Sequence, residues 1–95
     1  MTTYIVFIRE STQDAAELER YSASVKSTFV GHPASFLAAY GKHETLEGAP
    51  VEGVVILSFP SMADAKAWYD SPAYQEAAQH RFKGATYRAV LVEGV

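Results

Sequence analysis

Four stretches of the chain are apolar without alternation: Tyr4-Ile-Val-Phe-Ile8, Phe36-Leu-Ala-Ala-Tyr40, Val54-Val-Ile-Leu-Ser-Phe59 and Ala89-Val-Leu-Val92. A strand with one face in water alternates apolar with polar, so unbroken runs of this kind belong to strands covered on both faces. Between them, apolar residues recur at helical spacing. Leu18, Tyr21, Val25 and Phe29 form one stripe. Ser11 or Thr12 is the expected cap, and Asp14 and Glu17 stand in the first turn, where the helix dipole favours acids. Gly31-His32-Pro33 ends that helix. A second strand is predicted from about Ser35 to Lys42, and Leu46-Glu47-Gly48-Ala49-Pro50 carries turn chemistry into the third. Pro60-Ser61 closes the third strand. Ser61 with Asp64 has the form of a capping box, and Met62, Ala65, Trp68 and Tyr69 make the next stripe. Asp70-Ser71-Pro72 breaks the helix and restarts it, with Pro72 at the first helical position, where its missing N–H is no loss. The restarted piece runs from Ala73 to about Lys83, and the last strand from about Thr86 to Glu93.

The order is β-α-β-β-α-β. It predicts an α+β, ferredoxin-like domain over residues 1–95, with two helices on one face of a four-stranded antiparallel sheet. The helices cover one face only. Four strands of about six residues present a second apolar face of roughly 400 Å², at the upper end of what monomers leave exposed. A homodimer packed sheet against sheet, a dimeric α/β barrel, is therefore expected. Composition agrees. A chain of 95 residues buries only about 64% of its unfolded surface, yet 48% of residues are hydrophobic and 13% aromatic. Eleven acids against eight bases leave a net charge of -3, and no basic run is present, so neither nucleic acid nor an anionic membrane is an expected partner. The stretch Glu52–Phe59 aligns with the signature octamer of RNA-recognition domains. It fails there, because Glu52 stands for a basic residue and Val54 and Ile56 for the stacking aromatics. The absence of cysteine removes disulfides, thiolate nucleophiles and Cys-based metal sites. The apolar run Tyr4 to Ile8 is too short for a secretory or membrane segment, so a cytoplasmic protein is expected.

The segment Phe59-Pro-Ser-Met-Ala-Asp-Ala-Lys-Ala-Trp-Tyr-Asp-Ser-Pro-Ala-Tyr-Gln75, followed by His80-Arg81 and Val90-Leu-Val-Glu-Gly-Val95, resembles a family of small, mostly bacterial proteins of unknown function in the dimeric α/β-barrel superfamily. Phe36-Leu37-Ala38, Gly41, Glu44 and Leu46-Glu47-Gly48 resemble that family's second strand and turn. The resemblance implies a ferredoxin-like protomer whose sheet packs on its partner's. The chain departs from it where an Arg-Gly-Gly segment usually ends the second strand, reading Ala39-Tyr40-Gly41. The wider superfamily includes cofactor-free monooxygenases, lactone isomerases and haem-degrading enzymes, so fold alone selects no activity.

Candidate chemistry is sparse. His32, His43 and His80 lack the spacing that puts two metal ligands on one helical face, and no metal or cofactor is expected. His80 follows Glu76 by four residues and reads as half of a surface pair. His43, beside Lys42 and Glu44 at a strand end, is the one candidate general base. Arg9 and Arg88 flank the first and last strands, which are antiparallel neighbours in this fold. They read either as a clamp for a carboxylate or enolate, or as rim salt bridges. Tyr40 and Ser58 are hydroxyls within apolar strands, available to a ligand or to the backbone. No nucleophile elbow, phosphate loop or carboxylate pair is visible. The expected function is binding of a small organic molecule between sheet and helices by Arg9, Tyr40, Ser58 and Arg88. If catalytic, it would be a cofactor-independent oxygenase or isomerase; the alternative is a non-catalytic ligand-sensing or structural dimer.

Overall fold

The unalternated runs do form the sheet. The computed structural model describes residues 1–95. In chain order it has β1 (Thr3–Thr12), α1 (Ala15–Val25) continued by a 3-10 turn (Lys26–Phe29), β2 (Ser35–Ala39), β3 (Gly53–Phe59), α2 (Met62–Tyr69), α3 (Pro72–Gly84) and β4 (Ala85–Glu93). The strands pair antiparallel in the order β2-β3-β1-β4. This is the ferredoxin-like arrangement, with its second helix in two pieces.

The local signals account for most boundaries. Ser61 caps α2 by accepting from the Asp64 amide, and Ser71 caps α3 by accepting from Tyr74 N with Pro72 in the first turn. Two boundaries differ from expectation. β1 continues through a bulge after Arg9 because Ser11 and Thr12 still find partners in Thr86 and Ala85. The cap of α1 therefore moves to Asp14, whose carboxylate accepts from Ala16 N and Glu17 N. β2 is shorter than predicted. It stops at Ala39 because Tyr40 turns into the left-handed region, with φ +57°.

Parity divides the sheet. The odd residues Ile5, Phe7, Leu57 and Phe59 point at the helices and join Ala65, Trp68, Tyr74 and Ala78 in the core. Trp68, fully buried, lies at its centre. Its ring stacks on Phe29 at 4.7 Å, lies 4.1 Å from Tyr74 and meets the edge of Phe7, and its Nε1–H donates to Thr28 Oγ1 at 3.0 Å. At Gly84, where α3 meets α1, a Cβ would lie 2.9 Å from the Leu18 side chain and 3.1 Å from Asp14 O, so a larger residue would force the two helices or Leu18 to shift.

The even residues face the other way. Tyr4, Val6 and Ile8 pair across with Val92, Val90 and Arg88 on one side and with Ser58, Ile56 and Val54 on the other. The molecule is only 17 Å thick, which is one sheet and one helical layer. Nothing in the chain covers this second face, and Val90 and Val92 remain 46% and 48% exposed.

A candidate anion cleft between sheet and helices

On the helix side, beyond the core, the sheet and α1 part around a cavity of about 90 Å³. Phe7, Leu57 and Val55 floor it, Val25 and Phe29 wall it, and Phe36 and Tyr40 border it from the edge strand. Its lining is almost wholly hydrocarbon. The lining residues that carry polar side-chain groups are Arg81, Tyr21, Tyr40, Tyr87 and Trp68, whose Nε1–H is taken by Thr28.

Arg81 is the unusual member. Tyr74, Ala77, Ala78 and Arg81 follow one another at three- and four-residue spacing, so α3 turns an arginine inward on its buried face. The side chain is only 4% exposed. Its guanidinium carbon lies 5.1 Å from the Phe7 ring, 4.8 Å from Phe82 and 5.0 Å from Tyr87. Its buried Nε has no hydrogen-bond partner. The chain's ion pairs join Arg9 to Glu52, and Arg20 and His80 to Glu17; none reaches Arg81. One aromatic face returns about 0.5–2 kcal/mol to a cation over it, whereas the effective penalty for burying an ion is several kcal/mol. The guanidinium is left short of a counter-charge.

The phenols around it are paired. Tyr40 and Tyr87 share a hydrogen bond at 2.6 Å, and Tyr21 and Tyr74 one at 3.0 Å. Each pair holds two hydroxyl protons and uses one between its oxygens, leaving one to donate elsewhere. Burial pushes the hydroxyls of Tyr21, Tyr40 and Tyr74 up from the ordinary phenol value, and the neighbouring phenol raises Tyr21 and Tyr40 further. The Arg81 charge opposes the shift at all three. All three are therefore protonated at neutral pH; at Tyr74 hydrogen bonds from Tyr21 and Arg81 also work against the shift, so its oxygen accepts.

Tyr40 is held in a conformation that costs a non-glycine residue about 1–3 kcal/mol. Its amide donates to Val54 O at 2.9 Å, its ring lies 5.1 Å from the Arg9 guanidinium carbon, and its hydroxyl is tied to Tyr87. Its ring also lies directly over Gly53, where a Cβ would come within 2.5 Å of Cδ1. Arg9 Nε is 3.3 Å from Glu52 Oε1, an ion pair without an aligned hydrogen bond, and Thr12 donates to the same oxygen.

Of the four residues the sequence put forward as ligand contacts, Arg9 and Tyr40 meet at the rim of this cleft. Arg88 and Ser58 lie on the opposite face of the sheet, since they pair with Ile8 and Tyr4. Arg9 and Arg88 do share an end of the sheet, but the register places their side chains on different sides of it. His43 lies exposed in the β2–β3 loop, with its ring nitrogens 3.2 Å from Gly41 O and 3.0 Å from Val51 O; a neutral ring donates to one of these carbonyls only. His80 does not pair with Glu76; α1 packs beside α3, and His80 Nδ1 meets Glu17 Oε2 at 2.7 Å. His32 sits in the turn after α1. No three His, Asp or Glu side chains converge in the manner of a metal site. A wider hollow of about 370 Å³ lies between α2 and β4, beside Lys66 and Asp70, but no buried polar atom there lacks a partner.

Sequence reasoning did not single out Arg81 as a contact. Its signal was present: an arginine at the fourth position of a Tyr74, Ala77, Ala78 stripe, where a core residue belongs.

No helix is long and apolar enough to cross a membrane. No curated protein matches the chain. Among solved structures it is similar to a protein of unknown function from Rhodopseudomonas palustris, at 17% identity and TM-score 0.75 over 99% of this chain and 82% of that one. It is similar also to a dimeric ferredoxin-like protein of unknown function from Jannaschia sp. CCS1, at 13% identity and TM-score 0.72 over 99% and 100% of the two chains. A third is SnoaB, a cofactor-independent oxygenase from Streptomyces nogalater, at 14% identity and TM-score 0.61 over 99% and 92%. These likenesses bear out the ferredoxin-like fold. Over residues 2–95 the sequence matches the model of the family described as Domain of unknown function (DUF1330), and the chain belongs to that family.

Proposed function

We propose that this protein is a sheet-to-sheet homodimer in which each chain binds a small, partly apolar organic molecule in the cleft between its sheet and helices. The observation that carries the binding reading is Arg81, a buried cation with no carboxylate, beside a cavity that the chain leaves unfilled. The uncovered apolar face supports the dimer, as do structural neighbours described as dimeric. Arg9 and Tyr40 border the ligand. Ser58 and Arg88 lie where the partner's sheet would sit and belong to the interface.

Turnover is the weaker reading. The cleft has a cation to hold developing negative charge, as an oxygenase acting without a cofactor requires. Its side chains offer no proton acceptor: Tyr21 and Tyr40 stay protonated, no carboxylate lines the cavity, and Glu52, beside Arg9, is engaged by Thr12 and Arg9. A reacting substrate would have to arrive already ionised. Native mass spectrometry of the protein as purified tests both halves. The expected species is a dimer carrying a discrete added mass. A monomer at micromolar concentration refutes the dimer, and a bare dimer that takes up no small organic molecule refutes the binding function.

A further inference from the structure

We infer that the ligand is a short-chain monocarboxylate, its carboxylate on Arg81 and its hydrocarbon tail between Phe29, Phe36 and Leu57. This rests on the proposal that the cleft binds a small molecule, and it names the class.

Charge comes first. Arg81 is the one guanidinium of the cleft without an acidic partner, since Arg9 already faces Glu52. One uncompensated positive charge calls for one negative charge, and it repels an amine. A guanidinium presents a planar fork of N–H groups that matches the two oxygens of a carboxylate. Tyr40 and Tyr87 both line the cavity, and the proton their mutual hydrogen bond leaves over adds a donor. The remaining lining has no acceptor to satisfy a hydroxyl or amide on the ligand, so the rest of the molecule is hydrocarbon.

Size follows from volume. An apolar cavity of about 150 Å³ holds a benzene ring. The cavity here, about 90 Å³, takes a smaller body, on the order of a three- to five-carbon acid by the same scale. The apolar end is bounded by Phe36, which meets the Phe29 ring edge-on at 5.2 Å and is itself 56% exposed on the edge strand. Phe36 is thus the residue that limits tail length, and it is one that can be trimmed without opening the core.

The test is a nitrogen–proton NMR titration of the full chain at fixed ionic strength with sodium acetate, butanoate and octanoate, and with butanamide and butylamine. The Arg81 Nε–H, buried and unpaired, is the reporter. Butanoate is expected to shift it and to bind about tenfold more tightly than acetate, the effect of two buried methylenes. Butanamide, butylamine and octanoate are expected to bind at least about tenfold more weakly than butanoate, a difference of about 1.4 kcal/mol. Phe36→Ala is expected to move the optimum to longer acids, and Arg81→Met to abolish the butanoate response. Butanamide binding as tightly as butanoate overturns the carboxylate assignment while leaving a binding cleft. Unchanged length preference in Phe36→Ala overturns the placement of the tail. No shift at any cleft residue with any of the five compounds overturns the binding function itself.

Discussion

Replacing Arg81 with methionine should make the ligand-free protein more stable, the reverse of what truncating a core residue normally does. The wild-type guanidinium is 4% exposed and has no acidic partner. The effective cost of holding an ion there is several kcal/mol. Against it stand the faces of Phe7, Phe82 and Tyr87, together worth on the order of 2–3 kcal/mol. A position near the C-terminus of α3 adds a further ~0.3–1 kcal/mol from the helix dipole. Methionine is unbranched and of similar reach, and a thioether against aromatic rings recovers about 0.3–1.5 kcal/mol. Substituting well-packed apolar side chains for buried ions has stabilised proteins by about 1–4 kcal/mol. The expected gain is about 1–3 kcal/mol, a rise in Tm of roughly 5–15 °C for a chain of this size. Urea unfolding of protein freed of ligand by refolding measures it, with the m-value checking that the unfolded surface is unchanged. A loss of about 3 kcal/mol would refute the reasoning. It would mean that Arg81 is a satisfied structural anchor, and the inference that it awaits an anion would fall with it.

Three other substitutions address other parts of the molecule. Val6→Lys puts a charge at the middle of the uncovered face, opposite Ile56 and Val90; sedimentation should show a monomer with unchanged circular dichroism, and a persistent dimer would place the interface elsewhere. Thr28→Val strips the acceptor from the buried Trp68 Nε1–H, with an expected loss of about 1–3 kcal/mol in urea unfolding. Glu17 is held below the ordinary carboxylate range, first by its hydrogen bond from His80 and also by the charges of Arg20, His80 and Lys83. A carboxylate whose pKa is depressed in the folded state contributes stability above its unfolded pKa and loses it as pH falls through the folded value. His80→Gln should therefore move the Glu17 titration up toward 4.5, read by carbon NMR, and shrink the acid-limb loss of stability below that pH.

The sequence laid out the elements because each rests on local chemistry. Ser61, Ser71 and Pro72 mark helix starts by hydrogen bonds made within one turn, and the apolar runs mark strands by composition. The site was harder to see because it depends on register and on helix rotation. In the pairing of β1 with β4, partner numbers over the stretch from Thr3 to Arg9 always sum to the same even value, so residues of opposite parity, such as Arg9 and Arg88, are on opposite faces. Nothing local to either arginine encodes that sum. Tyr40 was legible as a phenol at a strand end but not as a left-handed residue seated on Gly53, which joins two strands. Arg81 was legible in principle. Its spacing from Tyr74 and Ala78 places it on the buried stripe of α3, and a cation on such a stripe is informative because apolar residues there are ordinary.

The division of the sheet by parity makes the two proposals separable. Odd positions of β1 and β3 contribute to core and cleft, and even positions to the face proposed for the partner. Every group assigned to the carboxylate, Arg81 with the phenols of Tyr40 and Tyr87, comes from one chain and from the helix side. In a sheet-to-sheet dimer the two clefts would then face outward, separated by both sheets at about 10 Å spacing. A ligand in one would touch no residue of the other chain. Val6 adjoins the floor residue Phe7 but points away from it. Val6→Lys should accordingly abolish the dimer and leave the butanoate affinity within about twofold, the size of a surface substitution of up to about 0.5 kcal/mol. If binding disappears together with the dimer, the ligand sits between the two sheets and not in the cleft. The outer-face residues Ser58 and Arg88 would then return as its contacts.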